Sequence, residues 1–148
     1  MSKQQNLETQ KKMGEAVNKG DLEVLRDIFA ANVMDHDPAP DQVKGPEGFI
    51  HFFQGMKTAF PDLAIAVDQM VSDEHNIAIA YTASGTHKGD FMGTLATGKK
   101  VKFRGVQIAR FENGRIVERW GSSDELGLLR QLGAVTGVHS TTEVTASK

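Results

Sequence analysis

The chain predicts an α+β fold: three N-terminal helices packed on a strongly curved, mainly antiparallel sheet. Three observations carry this expectation. Apolar residues recur at helical spacing as far as Phe60. After Pro61-Asp62 the period drops from about 3.6 to 2 and stays there. Near the end, Val101 to Asp124 reads as a hairpin, with two alternating runs flanking Glu112-Asn113-Gly114. Four successive antiparallel strands after three helices need those helices on one sheet face. With 148 residues and 39% hydrophobic content, the chain has room for one sizeable core and no second domain. Residues 1–135 are expected to form that domain, and 136–148, small and polar, a flexible C-terminal tail.

The first helix spans Gln4 to Asn18, rich in good helix formers, with Leu7, Met13, Ala16 and Val17 as its buried stripe. Lys19-Gly20 closes it, since glycine suits a helix end. Asp21 reads as the N-cap of a second helix carrying Leu22, Leu25, Ile28 and Phe29. Asn32 to Gly45 begins as a short strand and becomes a loop where Pro38 and Pro40 forbid regular structure. Asp35, His36 and Asp37 stand at that junction, either as a solvated turn or at the mouth of a cavity. The third helix starts at Pro46, a favoured first-turn residue, and runs to Ala59. Its aromatic stripe holds Phe49, Phe52, Phe53, Met56 and Phe60, and His51 falls off it.

Leu63 to Val71 is the first long strand, and Asp73 to Asn76 a turn. Ile77 to His87 follows, with Ile77, Ile79, Tyr81, Ala83, Gly85 and His87 on one face. Lys88 to Lys100, rich in glycine, is a loop able to cover a cavity. In the closing hairpin, a three-residue loop with a bulge would set Phe111 opposite Arg115. Phe103, Gly105, Gln107 and Ala109 then share a face with Val117, Arg119, Gly121 and Ser123. The other face carries Val106, Ile108, Arg110, Ile116, Glu118, Trp120 and Asp124. A last short helix runs from Asp124 to Gly133.

Several function classes are excluded. The net charge of −2 and pI near 6.2 leave no electrostatic footprint for nucleic acid. The chain has no cysteine, which removes disulfides, thiolate metal sites and cysteine nucleophiles. No apolar run approaches membrane-spanning length and the N-terminus lacks a signal-peptide core, so a soluble cytoplasmic protein is expected. His36, His51 and His87 occupy separate elements without ligand spacing, so no metal is expected. There is no nucleophile elbow, P-loop or dinucleotide fingerprint, and chemistry without a cofactor remains.

Motifs in order from Met13 to Gly133 add a resemblance. They are Asp35-His36-Asp37-Pro38, Gly45-Pro46-Glu47-Gly48-Phe49, Phe60-Pro61-Asp62, Gly85-Thr86-His87, Thr97-Gly98, Arg110-Phe111-Glu112-Asn113-Gly114-Arg115-Ile116 and Arg130-Gln131-Leu132-Gly133. The chain resembles the cone-shaped fold of nuclear transport factor two and ketosteroid isomerase, and within it the SnoaL-like polyketide cyclases. The resemblance implies a histidine on the first hairpin strand and an aspartate on the second, the latter an acid/base in an intramolecular aldol closure. Those positions hold Gln107 and Gly121, which cannot take and return a proton near neutral pH. The cyclase pair is therefore not carried over.

Carbon-acid chemistry still needs a base near a carbonyl and a donor for the oxyanion. Gln107 can be the donor. The candidate bases are His36, favoured because its unperturbed pKa lies near working pH, Asp37, and Asp124, which equally suits an N-cap. Phe52, Phe53, Tyr81, His87 and Trp120 are candidates for an apolar ligand pocket in which Arg119, with Gln107, orients a polar group. Three readings stay open: a cofactor-independent cyclase, isomerase or hydrolase acting on a small apolar or aromatic carbonyl compound; a non-catalytic binding module; and a dimerisation domain whose cavity is filled by its own side chains. Relatives dimerise through the open sheet face, and a homodimer or larger oligomer using Ile108, Ile116 and Trp120 is expected.

Overall fold

The computed structural model describes residues 2–135; the expected tail, 136–148, lies outside them. In chain order the elements are α1 (Lys3–Lys19), a 3-10 turn (Leu22–Val24) running into α2 (Leu25–Ile28), β1 (Phe29–Asp35), α3 (Pro46–Ala59), β2 (Ala64–Ser72), β3 (Asn76–Thr86), β4 (Lys100–Glu112), β5 (Arg115–Ser123) and α4 (Glu125–Gln131). The sheet is curled and unclosed, in the order β1-β5-β4-β3-β2. β2 to β5 pair antiparallel in succession, and β1 adds itself parallel to β5. The α+β expectation holds, with β1 longer than the short strand foreseen.

Local chemistry explains most element ends. Ser2 accepts the Gln5 amide at the start of α1, and Gly20, at φ 78°, closes it. Asp21 differs from expectation: its side chain makes no capping bond, and the second helix is only a 3-10 turn followed by one short α segment. The shortening puts Phe29 in β1 instead of the helix, where its ring stacks on Phe49 of α3 at 4.0 Å. That pair is the hinge between the helices and the sheet in the main core, alongside Met13, Leu25, Ile28, Ile50, Ile77, Phe111 and Ile116. A second cluster, with Phe60, Ala83, Val101, Phe103, Leu128 and Leu132, seals the other end under α4.

The closing hairpin corrects the loop expected from sequence. Glu112 pairs with Arg115 around Asn113 and Gly114, both at positive φ (53° and 74°), which makes a two-residue loop of the kind Asn-Gly favours. The bulge lies one step further on: Phe111 faces Ile116, then Arg110 faces Glu118, leaving Val117 extra. Ile116 and Val117 are consequently both buried, at 0% and 9% exposure. Ile116 is thus part of the core and not available to an outward contact. Beyond the bulge the expected faces hold, with Ala109 opposite Arg119 and Gln107 opposite Gly121.

Candidate active site

The inner sheet face is the one whose side chains meet the helices: Val101, Phe103, Gln107, Ala109 and Phe111 on β4 are buried, while the alternate residues are exposed or half-buried. Alternation then decides the fate of each polar residue on β1 and β5. Val33 points in, so Asp35 points in as well, and it pairs with Arg119 across the parallel ladder. Arg119 Nη1 donates to Asp35 Oδ1 at 3.1 Å and Oδ2 at 3.4 Å, and to the Asp37 carbonyl at 3.3 Å. Its Nε donates to Gln107 Oε1 at 3.1 Å. Gln42 Nε2 and the Asp37 amide complete the shell of Asp35, each at 3.0 Å. The Asp35 carboxylate is only 6% exposed and Arg119 20%. Such a pair resists solvent screening.

Two glycines shape this face. A Cβ on Gly121 would stand 2.4 Å from Arg119 Nη2, because the guanidinium folds over that residue. A Cβ on Gly105 would stand 2.4 Å from the Tyr81 hydroxyl, because the ring lies over that one. Burial pushes the Tyr81 hydroxyl above the usual phenol range, and the Arg119 charge opposes part of that rise. Gln107 is 8% exposed and lies between them on β4.

His36 is not brought to this face. One residue beyond Asp35, it points outward, stacks on Trp120 at 4.6 Å and meets Glu118 Oε2 through Nε2 at 2.8 Å. Arg110 joins Glu118 from β4 at 2.5 Å. Hydrogen bonds from His36 first, and from Arg110 second, hold the Glu118 carboxyl below its ordinary range. Trp120, too, is therefore on the outer face, away from Gln107. Asp37 stays close to the inner cluster: its Oδ2 accepts the Gly121 amide at 2.8 Å. Asp124 caps α4 by accepting the Gly127 amide at 2.9 Å, so the capping alternative describes its position.

The aromatic candidates divide. Phe53 packs on the core, whereas Phe52 is 42% exposed. Phe52 lines a cleft of about 330 Å³ with Met56, Val43, Gln42, Phe91 and Met92, between α3 and the loops before α3 and after β3. Gln107, Arg119 and Asp35 do not line it, but Gln42 joins it to Asp35. His87 is fully buried; its Nδ1 accepts the Thr97 amide at 3.1 Å, and its ring lies against Phe60. Its Nε2 has no partner among the described residues. Those residues contain no group of three metal-ligating side chains and no helix long and apolar enough to cross a membrane.

Asp35 and Gln42 were missed as site residues. The signal for Asp35 is in the sequence: alternation from Val33 separates Asp35 from His36, which a reading of Asp35, His36 and Asp37 as one junction does not use. Gln42 carries no comparable signal, because it sits in an irregular loop.

Comparison with known proteins agrees with this architecture. The family model for SnoaL-like polyketide cyclase matches residues 7–132. A cyclase of Streptomyces sp. (strain C5), aklanonic acid methyl ester cyclase DauD, is 26% identical over 130 residues, covering 83% of this chain and 78% of its own. Among solved structures, IdmH from Streptomyces antibioticus is 33% identical at a TM-score of 0.75, covering 86% of this chain and 98% of its own. TsrD from Streptomyces laurentii superposes at a TM-score of 0.83 with 25% identity, over 91% of this chain and 99% of that one.

Proposed function

The chain belongs to the SnoaL-like polyketide cyclase family, and from that premise we propose a cofactor-independent enzyme of cyclase or isomerase type. Its substrate is a small, mostly apolar carbonyl compound, its base Asp37, and its oxyanion donor Gln107. The observation that carries this reading is the seat of the Asp37 carboxylate, 2.8 Å from the backbone amide of Gly121. A carboxylate delivered from the end of β1 thus stands beside the strand position where the family pattern has one and this chain has glycine. Its Oδ1 bonds to no described residue and is free to take a proton. Abstraction from carbon next to one carbonyl would leave an enolate, stabilised by a donor on the same side; its carbon would add to a second carbonyl of the same molecule, breaking that C=O π bond, and the alkoxide formed would take the proton back from Asp37. His36 and Asp124 have no part in this scheme, since one faces outward and the other caps α4.

The test substrate follows from the relatives' names: aklanonic acid methyl ester. Ring closure followed by mass spectrometry and absorbance is expected, with Asp37→Asn lowering turnover by about 100-fold or more. Undiminished turnover in that variant removes Asp37 as the base.

A second reading is favoured by one observation: the Arg119 guanidinium covers Gly121, and neither Gln107 nor Gly121 can exchange a proton. In that case the protein binds its ligand without changing it, and the same assay returns the compound intact. In either reading the protein works in the cytoplasm as a homodimer. Its outer face exposes Met34, Val106 and Ile108 at 56%, 56% and 45%, apolar area that a second copy would cover. A monomeric mass by light scattering contradicts the dimer.

A further inference from the structure

Asp37 stands just past the end of β1, in an exposed stretch with Pro38 and Pro40 and neither helix nor strand. A side chain on a loop is aimed less precisely than one on a strand unless its surroundings fix it. Here the peptide on either side of Asp37 is gripped by one ion pair. Its amide donates to Asp35 Oδ1 at 3.0 Å, and its carbonyl accepts from Arg119 Nη1 at 3.3 Å. Held at both ends, the residue lays Oδ2 on the Gly121 amide at 2.8 Å.

Gln42 closes this arrangement from across the loop. Its Nε2 donates to Asp35 Oδ2 at 3.0 Å and its Oε1 accepts the Ala39 amide at 3.0 Å. One side chain thus ties the residue two before Asp37 to the residue two after it, and a backbone bond from the Gln42 amide to the Ala39 carbonyl at 3.1 Å completes the turn. Both ends of the side-chain amide are committed. Exchanging its O and N would set a donor against the Ala39 N–H and an acceptor against a carboxylate. Helix α3 leaves the room: a Cβ on Gly48 would stand 2.8 Å from Gln42 Cγ and 2.1 Å from the Val43 carbonyl oxygen. The Asp35 side chain is 6% exposed, and without Gln42 its Oδ2 would keep, among the described residues, only the longer 3.4 Å contact to Arg119. A buried carboxylate short of a donor rotates toward another, and that rotation takes Oδ1 off the Asp37 amide.

We propose that Gln42, acting through Asp35, is the positioning residue that keeps the Asp37 carboxylate on the Gly121 amide. Gln42 itself bonds to Asp35 and Ala39, not to Asp37. Its role in turnover rests on the reading of Asp37 as the base; its hold on the Asp37 carboxylate does not. Displacing a reacting group by about 1 Å can cost about 100-fold in rate, so a residue that touches no substrate atom can still govern kcat.

The test follows hydrogen exchange of the Gly121 amide in the 15N-labelled full chain without substrate, and separately the closure of aklanonic acid methyl ester. Gln42→Met roughly keeps the volume of a side chain that also lines the cleft beside α3, and removes both of its hydrogen bonds. Gln42→Glu keeps the acceptor for Ala39 but sets a second carboxylate against Asp35. Asp37→Ala gives the exchange rate of the released amide, and the β3 amides control for general loosening. In both Gln42 variants the Gly121 amide should exchange about ten-fold faster relative to β3, the upper range for one net hydrogen bond. Their kcat should fall about ten-fold or more with KM little changed. Unchanged Gly121 exchange in Gln42→Met overturns the proposal whatever the turnover. Wild-type exchange in Gln42→Glu alone shows that Ala39, not Asp35, carries the effect, and overturns the route through Asp35. Faster exchange with full kcat, while Asp37→Asn is slow, overturns the positioning role and leaves Asp37 as the base. Full turnover by Asp37→Asn is instead the failure of the base reading, and ends the role of Gln42 in catalysis with it.

Discussion

Two polar clusters lie back to back across the β1 and β5 strands, built from residues adjacent in sequence. Asp35 and Arg119 meet on the inner face, with side chains 6% and 20% exposed; His36 and Glu118 meet on the outer face, at 36% and 26%. Both contain a carboxylate and a basic partner at hydrogen-bonding distance. They differ in setting. The inner pair is locked by Gln107, Gln42 and the Asp37 backbone, while the outer pair leans on Trp120 beside solvent. One step of alternation turns similar residues into a fixed internal device or a surface network. A pair held in that way can fix the backbone of Asp37 beside it, whereas a screened surface pair mainly trims stability.

The sharpest way to break the contrast is to remove one ion-pair member from each cluster. Asp35→Ala leaves the Arg119 charge without its buried partner and should cost about 3 kcal/mol in urea unfolding. His36→Ala should cost much less, as expected of a partly exposed ion pair. Equal losses would erase the distinction between the faces.

The glycines offer a second comparison. Gly105→Ala drives a methyl against the Tyr81 ring and within 3.0 Å of the Ser122 carbonyl, and should destabilise by about 1–3 kcal/mol. Gly121→Ala meets only side-chain atoms at the far end of Arg119 and no backbone, so it should cost less stability yet displace Arg119 from Gln107. The chain has a single tyrosine, so its near-ultraviolet signal should change in the first variant and hardly in the second. A reversed order of stability would mean that Arg119 is the more rigid of the two side chains.

The smallest effect concerns acid. Glu118 has a depressed folded-state pKa, so its contribution is present above its ordinary value near 4.5 and is lost as pH falls through the lower folded value. Asp62, held down chiefly by Thr86, and Asp73, held down by the His75 and Asn76 amides, act in the same direction. The protein should lose stability on acidification below about pH 4.5. Urea midpoints across that window should fall less steeply for Glu118→Gln; parallel curves would show that the outer cluster adds nothing to acid resistance.

Particular residues show how far sequence reading reaches. The inner row of β3 from Ile77 to Gly85 was legible because strict alternation is a local property. So was the inward turn of Gln107, which follows from its even spacing with Phe103 and Phe111. The hairpin was legible, but its loop was not: Asn113 can take positive φ as Gly114 does, and the shorter loop moved the bulge to Val117 and drew Ile116 inside. His36 was favoured as a base for its intrinsic pKa, which carries no information about direction.

By itself, then, the sequence determined the order of helices and strands, the switch of period at Pro61, and which residues of β3 and β4 look inward. All of these follow from backbone preference and side-chain spacing over short stretches. Only the tertiary structure decided that Asp35 would grip Arg119 and that Asp37 would sit on the Gly121 amide, pairings that span 84 positions of chain. No local pattern encodes a partner so distant. The parallel docking of β1 against β5 creates those contacts, and with them the chemistry of the inner face.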